Sequence, residues 1–392
     1  MQRLGASVTV EELAGDAHPI LRRLREREPV SWIPALDGWL VTRYDLVVQA
    51  MRDPQTFTVD DPRFSTAQVV GPSMLSLDGD EHARHRAPFV APFRPGPVRE
   101  RFAALTAEEA QQLIDEIRLA GGAELRRSFA GPLAASIVAR ALGLAREEAG
   151  QVLTWYDAIV AAVSEITAGG EPAAAAHAAV AALHARLEAV IRAPGGGSLL
   201  AAAAADSGLS DEQIISNAAV LLFGGIETTE GMIANAVLHL LEDDNALACV
   251  RAQPQLLDVA IEESLRLEPA AAVIDRYATQ ATRLGGADIA AGELVRLSIA
   301  GANRDPEVFV DPDRLDLARG NPRRHLAFAQ GPHVCVGVHL ARLEARTGVA
   351  TLLERLPGLR LDSARPAQIR GLVFRKPPAL HVVWDVEAGD PR

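Results

Sequence analysis

From Asp78 to about Glu242, apolar residues recur three and four positions apart, which predicts one amphipathic helix after another. Alanine-rich stretches such as EPAAAAHAAVAALHARLEAVIRA add helix propensity and close packing. PGGG, at 194–197, interrupts the period as a loop or hinge rather than a domain linker. Helical spacing resumes through PQLLDVAIEESLRLEP, then yields to short strand-like segments from Ala272 to about Ile299. A long helix from Gly337 to Leu356 and a strand-like tail, ALHVVWDV, end the pattern. At the other end, residues 1–55 read as a short helix, strand-like pieces within PVSWIPALDGWLVTRY, and a helix from Asp45. Residues 56–77 show no sustained period and predict a long loop, a kind of segment that is often functional. The expected architecture is mainly α with small β-sheets near the two ends.

At 392 residues the chain exceeds the usual size of one hydrophobic core, so length alone predicts two or three domains or one large one. Two cysteines cannot form a disulfide framework, which favours a reducing compartment. Cys249 falls in a helical-looking LEDDNALACV, where a small apolar residue fits. The first residues carry acids and no apolar run of the secretory type. The longest strongly apolar stretch, 218–226, is less than half of a membrane span. A formal charge of −12 disfavours nucleic-acid binding, since neutralising phosphates needs concentrated Lys and Arg. The expectation is a cytoplasmic protein with neither membrane nor nucleic acid as partner.

The other cysteine, Cys335, lies in HLAFAQGPHVCVGVHLAR. Its blandest reading is a packed thiol. Zinc held by His333, Cys335 and His339 has little support, because no second compact ligand pair occurs elsewhere. A cysteine hydrolase using Cys335 and His339 lacks a thiol-enzyme signature. Ligation of a flat cofactor fits better: Gly331-Pro332 and Gly337 permit a tight backbone, and Phe328 offers an aromatic wall. Gly337 opens a helix, whose N-terminus should lower the pKa of the thiol.

Three further patterns bear on that choice. Glu263 and Arg266 share a helix face, as a surface ion pair if nothing else. GGIETT places Gly224 and Gly225 in an apolar helix at a cost of roughly 1 kcal/mol each, followed by Glu227, Thr228 and Thr229. Close helix packing explains the glycines but not a buried acid. His82 and Arg86 are four apart in DGDEHARHR, a solvated basic turn or a carboxylate partner.

Phe328-x-x-Gly331-x-His333-x-Cys335-x-Gly337, followed by Leu340-Ala341-Arg342, resembles the cysteine-ligand loop of the cytochrome P-450 family, the haem-thiolate monooxygenases. Ala329 stands where the family usually has a second glycine, and Val336 where it commonly has leucine. NRDPEVFVDPDRLDLAR and GLVFRKPPALHVVW match later family segments, so agreement runs from about Trp39 to Trp384. The resemblance implies a single domain over 1–392, with a long central helix over haem b (iron protoporphyrin) and Cys335 as the iron ligand. It further implies that Glu263-x-x-Arg266 is buried with a downstream loop arginine. His82, Arg86, Arg276 in VIDRYAT and His333 become propionate partners, and Phe328 and Gly225 line the haem. Gly224 and Gly225 would leave room for dioxygen and substrate where the helix opens locally. Thr228 would hydrogen-bond the dioxygen, and Glu227 would relay protons.

The implied activity is insertion of one oxygen atom from dioxygen into a small or medium, largely apolar organic substrate. No flavin or iron–sulfur signature is present, so electrons are expected from a ferredoxin or flavodoxin with a separate reductase, docking near Arg323, Arg324, Arg342 and Arg346. Val69, Val70, Met74, Val220, Phe223, Val273, Ile274, Leu372 and Val373 fall in segments that line family pockets. Alternative readings are a non-oxygenating member that couples aromatics or rearranges its substrate, a peroxide-driven oxygenase, and a haem-based gas sensor. The Glu227-Thr228 pair disfavours the last two.

Overall fold

The computed structural model describes residues 4–167, 174–193, 198–206 and 208–386. The expected break at 194–197 lies outside these residues. Among the described residues helices dominate, with ten short strands: β1 (Val30–Ile33), β2 (Gly38–Val41), β3 (Phe57–Thr58), β4 (Gly122–Glu124), β5 (Val273–Ala278), β6 (Thr282–Leu284), β7 (Ala287–Ile289), β8 (Leu294–Ser298), β9 (Arg360–Leu361) and β10 (His381–Val383). The first sheet has the order β1-β2-β8-β5-β3, with β2 and β8 parallel and the other pairs antiparallel. A second sheet, β4-β10-β9, joins the chain's middle to its end, and β6 pairs with β7 as a hairpin.

The central helix, Asp211–Glu242, organises the rest. A capping box starts it: Ser210 Oγ accepts from the Gln213 amide at 3.2 Å, and Gln213 Oε1 from the Ser210 amide at 3.1 Å. At 1.5 Å per residue its 32 residues span roughly 48 Å. Most of its circumference is buried, as expected for an apolar helix enclosed by others. Helices Gly131–Leu142, Leu257–Leu267 and Val338–Arg355 pack directly against it.

Residues 56–77 are not one loop. Phe57–Thr58 adds β3 to the sheet, and Ser65–Val70 forms a short helix ended by Gly71 at φ +85°. Six helical residues are too few to show a period in sequence. Cys249 is exposed rather than packed. Helix Ala174–Arg192 is long and apolar enough to span a membrane by length and hydropathy, a match the alanine content produces. It buries Ala176, Leu183, Leu187 and Val190, and it packs on the central helix and on Ala149–Thr167.

Candidate active site

The cysteine loop is closed by the Cys335 amide donating to the Phe328 carbonyl at 2.8 Å. Gly331 sits at φ +74°, and a Cβ there would lie 2.5 Å from the Met51 carbonyl oxygen, so only glycine fits. Ala329 adopts φ +55°, a left-handed conformation that costs an alanine on the order of 1 kcal/mol and accounts for the glycine usual at this position. Helix Val338–Arg355 follows with Gly337 as its cap, as expected. The Phe328 ring lies beneath the Arg342 guanidinium, 4.7 Å from its centroid, and 5.9 Å from the His325 ring.

Burial pushes the Cys335 thiol up, and the Gly337 amide with the Arg86 and Arg342 guanidiniums only partly oppose this. The expected lowering by the helix N-terminus therefore does not prevail. A coordinated cation, by contrast, deprotonates a thiol outright.

Beside this loop, helix Gly79–Val90 supplies His82 and Arg86 and strand β5 supplies Arg276, three cationic or cation-forming side chains that join the loop's own His333. The His82 and His333 rings are 4.3 Å apart, and the Arg86 Nη2 donates to the Val334 carbonyl. Burial, then His333 and Arg86, pushes His82 down to about 4. Its Nε2 is buried without a hydrogen-bond partner among the described residues. Burial lowers Arg276 to about 10, partly offset by Asp78 and Asp275, and its hydrogen bond among the described residues runs to the Asp275 carbonyl at 2.8 Å. An orphaned imidazole nitrogen and a buried guanidinium without a side-chain carboxylate bond fit an incoming anionic group, as haem propionates would be. His333 is already engaged, with Nε2 2.7 Å from Asp78 Oδ1. Burial would raise Asp78, but hydrogen bonds from His333, Thr58 and the Val59 amide outweigh it and hold it low.

On the central helix, the Thr228 hydroxyl donates to the Gly224 carbonyl at 2.6 Å, and the helix runs unbroken rather than opening. The two glycines divide their roles. A Cβ on Gly225 would meet Val138 at 3.0 Å, so this glycine serves packing against helix Gly131–Leu142, whereas Gly224 faces open space. Gly225 is thus spoken for by Val138, and Gly224 is the glycine that leaves room. Glu227 is buried, accepts from the Tyr156 hydroxyl, and lies 2.8 Å from Lys376 Nζ. Tyr156 and Lys376 escaped the sequence reading because they are remote in the chain. One signal pointed to the second of them: Lys376 is the sole lysine among 39 basic residues.

The apolar positions separate into groups. Val70, Met74, Val220 and Phe223 are buried in the main helical core. Phe374, missed from sequence, meets Phe223 edge-on at 5.7 Å. Leu372 packs instead with the N-terminal helices, and Val273 shares a small cavity with Leu13, Leu21 and Leu372. Ile274 packs on the sheet cluster, and the Val373 carbonyl accepts from the Ala272 amide at 2.8 Å. Alternating strand geometry and an irregular loop split what is contiguous in sequence. Asn217, also missed, accepts from the Met74 amide at 2.8 Å and contacts His85 Nδ1 at 3.1 Å, tying the 65–77 segment to the central helix.

Behind the cysteine loop, Glu263 and Arg266 are fully buried and bidentate at 2.7 and 2.9 Å, and Arg319 joins at 2.8 Å as the downstream arginine. The neighbouring Glu262 holds His325 at 2.9 Å and Arg342 at 2.6 Å. Arg342 is thereby committed to a buried carboxylate rather than to a docking face. Burial would raise Glu262, but hydrogen bonds from His325 and Arg342 overcome it and bring it down to about 2, against 4.5 when unperturbed. The associated stabilisation, about 3 kcal/mol, is complete above the unfolded value and drains as pH falls through the folded one. Urea midpoints measured from pH 7 downward should therefore decline between about pH 5 and 2, less steeply in Glu262→Gln.

The family model described as Cytochrome P450 matches residues 197–382. The chain is 37% identical over 389 residues to Cytochrome P450 107B1 of Saccharopolyspora erythraea, covering 92% of each chain. It is 35% identical to Nocardicin C N-oxygenase of Nocardia uniformis subsp. tsuyamanensis, covering 95% of this chain and 97% of that one. Among solved structures, P450BioI in complex with acyl carrier protein ligated to hexadec-9Z-enoic acid superposes with a TM-score of 0.86. That match has 28% identity and covers 94% of this chain and 99% of that one.

Proposed function

The chain belongs to the cytochrome P450 family of haem-thiolate monooxygenases, and from that premise we propose how its own residues divide the work. The haem, when bound, supplies reductive activation of dioxygen, and a thiolate ligand favours O–O cleavage. Cys335 is the ligand. His82, Arg86 and Arg276 receive the propionates, with His333 held by Asp78 as a positioning neighbour. The observation that carries this assignment is that the buried His82 Nε2, beside the cysteine loop, has no hydrogen-bond partner among the described residues.

Thr228 provides a hydroxyl beside the space left by Gly224, and Glu227 brings protons to it. Val70, Met74, Val220, Phe223 and Phe374 form the apolar wall that excludes water and takes a small or medium apolar substrate. One domain spans the chain, in the cytoplasm, and electrons come from a separate ferredoxin or flavodoxin with its reductase. With Arg342 committed to Glu262, the carrier face rests on the exposed Arg323, Arg324 and Arg346, the first and last with side chains 70% and 50% exposed. Turnover under ¹⁸O-labelled dioxygen should place one labelled atom in the product. A product formed without label would favour the coupling or rearrangement alternative.

A further inference from the structure

Lys376 is the only lysine in a chain that otherwise uses arginine for every basic side chain. Its Nζ lies 2.8 Å from Glu227 Oε1, 2.7 Å from Glu230 Oε2 and 3.5 Å from the Tyr156 hydroxyl. Three ammonium hydrogens thus face three acceptors on two helices, a tripod that the planar guanidinium fork does not reproduce. The stem passes Gly231, where a Cβ would stand 3.6 Å from Lys376 Cδ and 2.9 Å from Ala270 Cβ. The preceding Arg375 is buried against Glu268 at 2.6 Å, and its carbonyl accepts from Asn235 at 3.0 Å. The backbone that carries Lys376 is therefore fixed.

The two carboxylates are not equivalent. Glu230 is held at both oxygens by cations, Arg126 Nε at 2.8 Å and Lys376 at 2.7 Å. Glu227 is held by one cation and one neutral phenol. A buried cation left unpaired is costly, so departure of Glu230 is opposed twice over. Departure of Glu227 leaves Lys376 still paired with Glu230. In the resting arrangement both Glu227 oxygens are occupied, and the Thr228 hydroxyl is turned to Gly224.

We propose that Lys376 is a positioning residue for proton delivery, holding the Glu227 carboxylate away from Thr228 with Tyr156 and releasing it because Glu230, fixed by Arg126, retains the ammonium. This rests on the reading of Glu227 as the proton-carrying acid. Glu227 takes one proton from solvent water, and the neutral acid loses its attraction to the ammonium. It then gives that proton up on the Thr228 side and returns as a carboxylate to Lys376. One proton moves per swing of Glu227, the two protons that form water take two swings, and the charges of Lys376, Glu230 and Arg126 are unchanged after each.

Two measurements on the full-length, haem-loaded protein test this. The first reads amine acylation of residue 376, the one internal amine, by mass spectrometry with a water-soluble succinimidyl ester. Labelling should be slow in the wild type, modestly faster in Glu227→Gln, and roughly tenfold faster again in Glu230→Gln, where a buried cation loses its fixed partner. Equal acceleration in the two variants would overturn the asymmetry. The second reads hydrogen peroxide released per substrate oxidised. Lys376→Met should raise it roughly tenfold, less than outright loss of a proton-transfer group, and Lys376→Arg, which keeps the charge but not the tripod, should not restore coupling. Wild-type coupling in Lys376→Met, or full rescue by Lys376→Arg, would refute the proposal. Glu227→Gln separates the two levels: if it stays coupled, the acid reading itself fails, whereas if it uncouples while Lys376→Met does not, only the role of Lys376 falls.

Discussion

Replacing Glu263 by Ala is expected to cost about 3–5 kcal/mol, because it leaves Arg266 and Arg319 buried without their carboxylate. Arg266 is fully buried, and its remaining hydrogen bonds go to the carbonyls of Asn303, Pro312 and Arg314. Those neutral acceptors do not neutralise a guanidinium. Against a total stability of about 5–15 kcal/mol, a loss of this size puts folding itself at risk. The damage also spreads locally: Glu263 Oε2 accepts from the Asp316 amide at 3.0 Å, so the segment leading to the cysteine loop loses an anchor. A urea midpoint and the haem content of the purified variant measure both effects. Glu263→Gln keeps the shape and removes the charge, and it should lose most of the same stability; near-wild-type values in both variants would mean the pair is not the anchor described.

The second large effect is expected at Thr228. Its hydroxyl donates to the Gly224 carbonyl beside the open side of the central helix. Thr229, its neighbour, is buried. Removal of a positioned proton-transfer group lowers a rate by roughly 10²–10⁴-fold. In Thr228→Ala the electrons still reach dioxygen, so hydrogen peroxide should replace oxidised substrate as the main outcome while reductant consumption continues. Thr228→Ser keeps the hydroxyl and should retain most coupling. Full coupling in Thr228→Ala would remove this residue from the proton path.

Features set by local spacing were legible in the sequence. Glu263 and Arg266 are one helical turn apart, and Gly331, Cys335 and Gly337 lie within a single loop, so residue type and interval carried their geometry. Positive backbone angles at Ala329 and Gly331 explain why small residues recur there. What failed to show in sequence depends on the topology. Tyr156, Glu227 and Lys376 meet only because the C-terminal segment returns across the central helix. Leu372 and Phe374 are two residues apart, yet they fall into different cores because the chain between them is irregular. The thiol of Cys335 shows the same limit in energetic form. A helix N-terminus is visible from a glycine and a periodic run, but the burial that outweighs it is not.

The most direct test of the account is the absorption spectrum of the purified protein, reduced and exposed to carbon monoxide, compared with that of Cys335→Ala. The wild type should show the red-shifted Soret band of a thiolate-ligated ferrous haem carbonyl, and the variant should lose it. The absence of any haem band in the wild type, or an unaltered spectrum in Cys335→Ala, would contradict the assignment of Cys335 as the ligand.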